Sequence, residues 1–228
     1  LYRQIDGTQR EQAHCLYNTG AVLRDAKQYE DAVTAFQQAQ GLYQHLDGST
    51  QDQADCARSA GNTLRDMGRR QEAITAYREA LAIFRQEDGT EKDQANILNY
   101  RIGLTLADMW QYDEALTAYR QAQDLYSRAT GAQRQHADCL YNTGITLRDL
   151  GRYQEAITAY QQALELFRQV NGTQRQQAYC LNEGIGNTLH RMGRPDEAAT
   201  AYQQAQNLDP NLNGTEQSPK GSPGPDIG

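Results

Sequence analysis

A glycine recurs at Gly20, Gly61, Gly103, Gly144 and Gly186, in steps of 41, 42, 41 and 42 residues. A second set, Gly7, Gly48, Gly89, Gly131 and Gly172, keeps the same beat. A period this constant over five copies restricts the chain to architectures in which one supersecondary unit stacks on the next. Such an array buries each unit only against its neighbours, so small and amphipathic side chains at regular positions can supply its core. The composition agrees, with 38% hydrophobic residues over 228 positions and 14 Tyr against 3 Phe.

Each unit holds two stretches with the three-and-four spacing of a helix face. In the first unit, helix A is predicted over about residues 8–26, with Ala13, Leu16, Gly20 and Leu23 on one side. Helix B is predicted from about Tyr29, burying Ala32, Ala35, Phe36, Ala39, Leu42 and Tyr43 before Asp47-Gly48 stops it. The mid-helix glycine costs about 1 kcal/mol relative to alanine. Close approach of helix B explains it, and the expected small partners are Ala32, Ala73, Ala115, Ala156 and Ala198. Units three and five carry one extra residue between Ala95 or Ala178 and the glycine. A local bulge and a rotated helix start would both absorb it.

Small-residue pairs at this spacing, followed by an aromatic and another alanine, resemble the tetratricopeptide repeat. In unit four the pattern reads Leu140, Gly144, Leu147, Gly151, Tyr153, Ala156, Tyr160, Ala163 and Leu166, and unit five closes on Leu208-Asp209-Pro210. The long units resemble the branch typified by kinesin light chains and Pins-like spindle adaptors. The resemblance implies an all-α fold, an α-solenoid in which antiparallel helix hairpins form a right-handed superhelix. Five repeats are expected at about 8–48, 49–89, 90–131, 132–172 and 173–210. Residues 1–7 match the end of a preceding helix B, so the chain is expected to be cut from a longer array. Residues 211–228, rich in Pro, Gly and Ser, read as a tail.

A net charge of −7 argues against the phosphate neutralisation that nucleic-acid binding requires. No run approaches the roughly 18 apolar residues of a membrane span, and no basic, apolar leader opens the sequence; a cytoplasmic protein is expected. Cys15, Cys56, Cys139 and Cys180 occupy one repeat position, too far apart for disulfides, and are expected as small buried core residues. Neither a metal-ligand cluster nor a nucleophile relay around His14, His45, His136 and His190 is present, so no metal, cofactor or catalytic site is expected. Asn171 and Asn213 match the glycosylation acceptor pattern, although a turn is the stronger explanation of the first.

The candidate binding residues lie on helix A between its core positions. Tyr17-Asn18 and Tyr141-Asn142 precede the glycine, with Tyr100-Arg101 at the equivalent place in unit three. Asn62 and Asn187 directly follow it, and Arg24, Arg65, Arg148 and His190 come four residues after it. The resemblance implies that helix A lines a concave groove and that these residues grip an extended peptide, whose amides asparagine both donates to and accepts from. Arg58 and Asn62 keep part of a carboxylate-clamp pattern, but Ser59, Arg101 and Gly184 interrupt an asparagine ladder. The arginines are read equally as a structural ladder; pairing with Asp25, Asp66 and Asp149 is expected only between repeats, because sequence neighbours do not face each other on a helix.

The expected function is therefore a protein-interaction scaffold that holds a peptide, acidic or presenting a C-terminal carboxylate. Two alternatives are head-to-tail self-assembly through the array ends and a sensor or oligomerisation arm of a larger signalling protein.

Overall fold

The computed structural model describes residues 2–211, with side chains from residue 7 on. The expected raw-end side chains Leu1, Tyr2 and Ile5, the segment beyond residue 211 and Asn213 lie outside the described residues. Among the described residues every regular element is a helix. The described residues form two compact units, divided between Met109 and Trp110.

In the first unit, α1 (Tyr2–Asp25) packs on α2 (Tyr29–Tyr43), α2 on α3 (Thr50–Asp66), and α3 on α4 (Arg70–Phe84). Helix α4 then contacts a helix A made of α5 (Glu91–Asn96), a π turn (Ile97–Gly103) and α6 (Leu104–Asp108). The second unit runs α7 (Tyr112–Arg128), α8 (Gln133–Asp149) and α9 (Tyr153–Arg168), each packed on the next. Helix α9 packs on α10 (Gln174–Tyr179) and a second π turn (Cys180–Gly186), which lead through α11 (Asn187–Arg191) to α12 (Pro195–Leu208). Helix α1 continues through Gly7, where the repeat pattern predicts a break.

The two π turns sit where units three and five carry their extra residue. A π turn takes one more residue than an α turn while leaving the helix axis continuous. Ala95 and Gly103, and likewise Ala178 and Gly186, therefore all stay buried despite the longer spacing.

At three of the helix B ends a hydroxyl follows the second glycine, whereas Ala132 follows Gly131. Ser49 donates to the carbonyls of Tyr43 and Leu46, both at 2.5 Å. Thr90 donates to Phe84 (2.6 Å) and Glu87 (2.9 Å), and Thr173 to Phe167 (2.5 Å) and Val170 (2.8 Å). These bonds close the end of helix B, adding a side-chain donor to the Tyr43, Phe84 and Phe167 carbonyls, each of which also accepts a backbone N–H three residues on, and they account for the Ser or Thr after Gly48, Gly89 and Gly172.

The helix A glycines correct one expectation. The space their missing Cβ leaves is filled by the helix B aromatic, one turn beyond the expected alanine. A Cβ at Gly20 would lie 2.9 Å from the Phe36 ring, and one at Gly61 or Gly144 would lie 2.5 Å from Tyr77 or Tyr160. Ala32, Ala73 and Ala156 are fully buried, but none of them supplies the atoms nearest to that gap.

Candidate functional site

In the first unit, helix A residues from three repeats converge. Arg101, on the π turn of repeat three, lies within electrostatic range of Arg24, Arg58 and Arg65. Burial lowers its pKa, the three neighbouring guanidinium groups lower it further, and Tyr77 opposes them. Arg58 is paired with Asp55 at 2.8 Å, and Arg24 makes a long contact with Asp25 at 3.7 Å. Neither Arg65 nor Arg101 pairs with a carboxylate among the described residues. A half-buried cation among like charges is costly unless an anion joins it.

Around this cluster the polar side chains are mostly committed to the fold. Tyr77 donates its hydroxyl to Asn62 Oδ1 at 3.0 Å. Tyr17 packs its ring against Phe36 (5.4 Å between centroids), and its hydroxyl meets Ser59 Oγ at 3.3 Å. Tyr100 is half-buried beside Arg101 on the same π turn. Asn18 is exposed, in a cleft of about 780 Å³ lined also by Arg10, His14, Cys15 and Val22.

The second unit uses the equivalent positions differently. Asn187 bridges two repeat elements, accepting from Tyr202 at 2.9 Å and donating to Glu183 Oε2 at 2.8 Å. Asn182 donates to the other oxygen of that carboxylate at 2.9 Å. Arg148 donates to the Glu183 backbone carbonyl, within the π turn, at 3.1 Å. Tyr141 packs on Tyr160 with centroids 5.4 Å apart, and burial raises the pKa of both phenols. Asn142 is half-buried, and His190 is exposed. Gly184 stands where an asparagine ladder would need a side chain, because a Cβ there would lie 2.8 Å from the Tyr160 ring.

Two expectations about charged and thiol groups are corrected. Arg24 and Arg148 pair with their own neighbours, Asp25 at 3.7 Å and Asp149 at 3.4 Å. Both pairs sit at a helix end, where a long arginine folds back beyond the last turn and the rule for mid-helix neighbours no longer applies. Cys56, Cys139 and Cys180 are buried as expected, but Cys15 is exposed. Its counterparts are covered by a preceding helix B: Cys56 packs with Ala39, Tyr43 and Leu46, and Cys139 donates weakly to the Tyr119 carbonyl at 3.5 Å.

The residue pattern on helix A missed one structural role. The tyrosine hydroxyls take the asparagine that follows the glycine wherever both are present, in repeats two and five. The signal was legible in repeat one, where Phe36, lacking a hydroxyl, is matched by Ala21. In repeat four the residue is Ile145, and the buried Tyr160 hydroxyl has no hydrogen-bond partner.

Among the described residues no helix is long and apolar enough to cross a membrane, and no group of three or more His, Cys, Asp or Glu is placed to hold a metal ion.

Among solved structures, the chain is similar to BtubC (BKLC) from P. vanneervenii, with a TM-score of 0.72 at 18% identity over 97% of this chain and 94% of that one. It is similar to MamA, with a TM-score of 0.64 at 17% identity over 91% and 97% of the two chains. A third likeness is to a Rap protein complexed with competence and sporulation factor, with a TM-score of 0.62 at 17% identity; it covers 86% of this chain and 54% of the Rap protein. At these identities the likeness concerns the fold. No curated protein matches the sequence. Residues 11–86, 93–169 and 144–211 match the tetratricopeptide repeat, a match to the repeat itself that does not single out the kinesin light chain branch. The chain belongs to the tetratricopeptide repeat family.

Proposed function

We propose that this protein is an interaction scaffold whose first unit captures an anionic group of a partner polypeptide, an acidic side chain or a C-terminal carboxylate, on the helix A surface around Arg101. The observation that carries this reading is the half-buried Arg101 among Arg24, Arg58 and Arg65, with no carboxylate of its own. Arg65 is equally unpaired, and a planar anion accepts two parallel bonds from a guanidinium fork. The similar Rap protein was solved in complex with competence and sporulation factor, which supports partner binding as the role of a helical array of this kind. In the second unit Arg148 and Asn187 are occupied by Glu183, so a ligand contact is assigned there to the exposed His190.

The test is fluorescence polarisation with a labelled acidic hexapeptide bearing a free C-terminal carboxylate, alongside its amidated and glutamine-substituted versions. Arg101→Met should abolish binding and, by removing an unneutralised cation, raise the melting temperature. Loss of binding accompanied by unfolding, or unchanged binding in the folded variant, rejects the assignment.

A second reading, association through the α1 face, is favoured by Val22. It is 69% exposed, whereas its counterparts Thr63, Thr105, Thr146 and Thr188 are buried. The occupant would be a second copy presenting a helix. Sedimentation over a hundredfold concentration range checks it: a monomer throughout rejects it, and self-association reversed by Val22→Lys supports it.

A further inference from the structure

The turn between helices A and B is built alike in repeats two, four and five. A glycine with positive φ ends helix A: Gly68 at 79°, Gly151 at 77° and Gly193 at 74°. The following arginine then forks onto a glutamate three residues later. Arg69 meets Glu72 at 2.6 and 2.5 Å, Arg152 meets Glu155 at 2.7 and 2.5 Å, and Arg194 meets Glu197 at 2.6 Å through both nitrogens. Arg69 also reaches Glu30, in the first turn of the preceding helix B, at 3.0 Å.

Repeat three breaks both rules at once. Its left-handed position is held by Trp110, at φ 62° and 79% exposed. A bulky side chain in that region is strained, and exposed tryptophan leaves a large apolar surface in water. The arginine is replaced by Gln111, but the glutamate is kept: Glu114 stands in the first turn of α7 with no cation partner among the described residues. Tyr112 meets Trp110 edge-on, with centroids 6.0 Å apart and planes at 64°, and Asp149 lies near enough to act on its hydroxyl. Repeat one also lacks the arginine, having Gln28, but it puts Lys27 at the left-handed position.

We propose that Trp110, Tyr112 and Glu114 form a docking point for an arginine side chain presented by a partner protein. Its guanidinium takes, in trans, the place that Arg69, Arg152 and Arg194 fill in their own repeats. The charge complementarity is set by the sister turns, where the same glutamate binds a guanidinium in a two-pronged geometry. The aromatic pair adds what those turns lack, an exposed π face on which a guanidinium stacks. Strain at an exposed site, tolerated where glycine would remove it, is the mark of a position kept for contact. This site is independent of the anion-binding surface of the first unit, which uses the opposite charge.

Trp110 is the sole tryptophan, so its emission reads the site directly. The full chain is titrated with acetyl-Gly-Arg-Gly-amide, and in parallel with the lysine and citrulline versions. The arginine peptide should give a saturable change in emission, weaker for lysine and absent for citrulline. Glu114→Gln should weaken it about fivefold, the scale of one exposed ion pair. Gln111→Arg, which restores the staple of the other repeats, should remove the response while leaving helix content unchanged. A citrulline response equal to that of arginine, or a Gln111→Arg variant that still responds, overturns the proposal. Concentration-dependent emission of the protein alone would mean that a second copy supplies the guanidinium, and this would overturn assignment to a separate partner.

Discussion

Replacing Gly144 by alanine sets two effects of opposite sign against each other. In a helix interior the change contributes about 1 kcal/mol through intrinsic propensity. Here the new methyl would lie 2.5, 2.7 and 2.8 Å from three ring atoms of Tyr160, which is fully buried. Ordinary contact is at 3.5–4.0 Å, so the ring would have to retreat by about 1 Å. It has nowhere to go, because a Cβ at Gly184 would meet the same ring at 2.8 Å; Tyr160 is clamped between the glycines of two successive repeats. Overpacking costs about 1–3 kcal/mol, and a ring held on both sides belongs to the upper half, about 2–3 kcal/mol, so after the propensity gain the net expectation for Gly144→Ala is a loss of about 1–2 kcal/mol. At about 2–4 °C per kcal/mol for a chain of this size, the melting temperature should fall by several degrees. Gly41, on the exposed side of α2 with nothing within 4 Å of its missing Cβ, is the control: Gly41→Ala should stabilise by about 0.5–1 kcal/mol. Thermal and urea unfolding followed by far-UV circular dichroism measure both, and Tyr160→Leu in the Gly144→Ala background should recover most of the loss. A Gly144→Ala variant as stable as Gly41→Ala would refute the clamped-ring account.

Asn62→Ala should cost about 1–3 kcal/mol by leaving the Tyr77 hydroxyl buried without its acceptor, whereas Ile145→Asn, offering the Tyr160 hydroxyl a partner, should be neutral or stabilising in urea unfolding. A thiol reagent at pH 8 should modify Cys15 in the native protein and the other three cysteines only on unfolding, since burial pushes the Cys56 thiol up to about 12 and raises Cys139 and Cys180 as well; equal native labelling of all four would contradict the packing. Burial lowers the pKa of His136, so the unfolded chain binds its proton first; stability should fall as pH drops below about 6.5, and His136→Gln should flatten that slope in a series of melts.

Much of this protein was determined by its sequence alone, because a fixed period repeats the same local rules five times. Helix type, the hairpin order, the hydroxyl after Asp-Gly and the burial of Ala, Gly and aromatic positions follow from spacing and turn chemistry, which act over a few residues. Tertiary structure decided what depends on a neighbour. The extra residue of units three and five was visible as a count, but its absorption as a π turn follows from the need to keep both flanking small residues buried against the adjacent helices. The glycines signalled close approach, but only the packed array assigned that space to an aromatic ring rather than an alanine. The candidate binding residues divide for the same reason. Asn62, Asn187 and Arg148 share their residue types and register with ligand-gripping positions, yet Asn62 and Asn187 are held by a tyrosine and Arg148 by a π-turn carbonyl, each brought in from a different helix. Among the described residues Arg65 and Arg101 pair with no carboxylate, because no acidic side chain within salt-bridge reach is presented to them. A sequence records which residues recur, whereas the partner of a side chain depends on what the next helix presents, and that pairing exists only once the hairpins have packed.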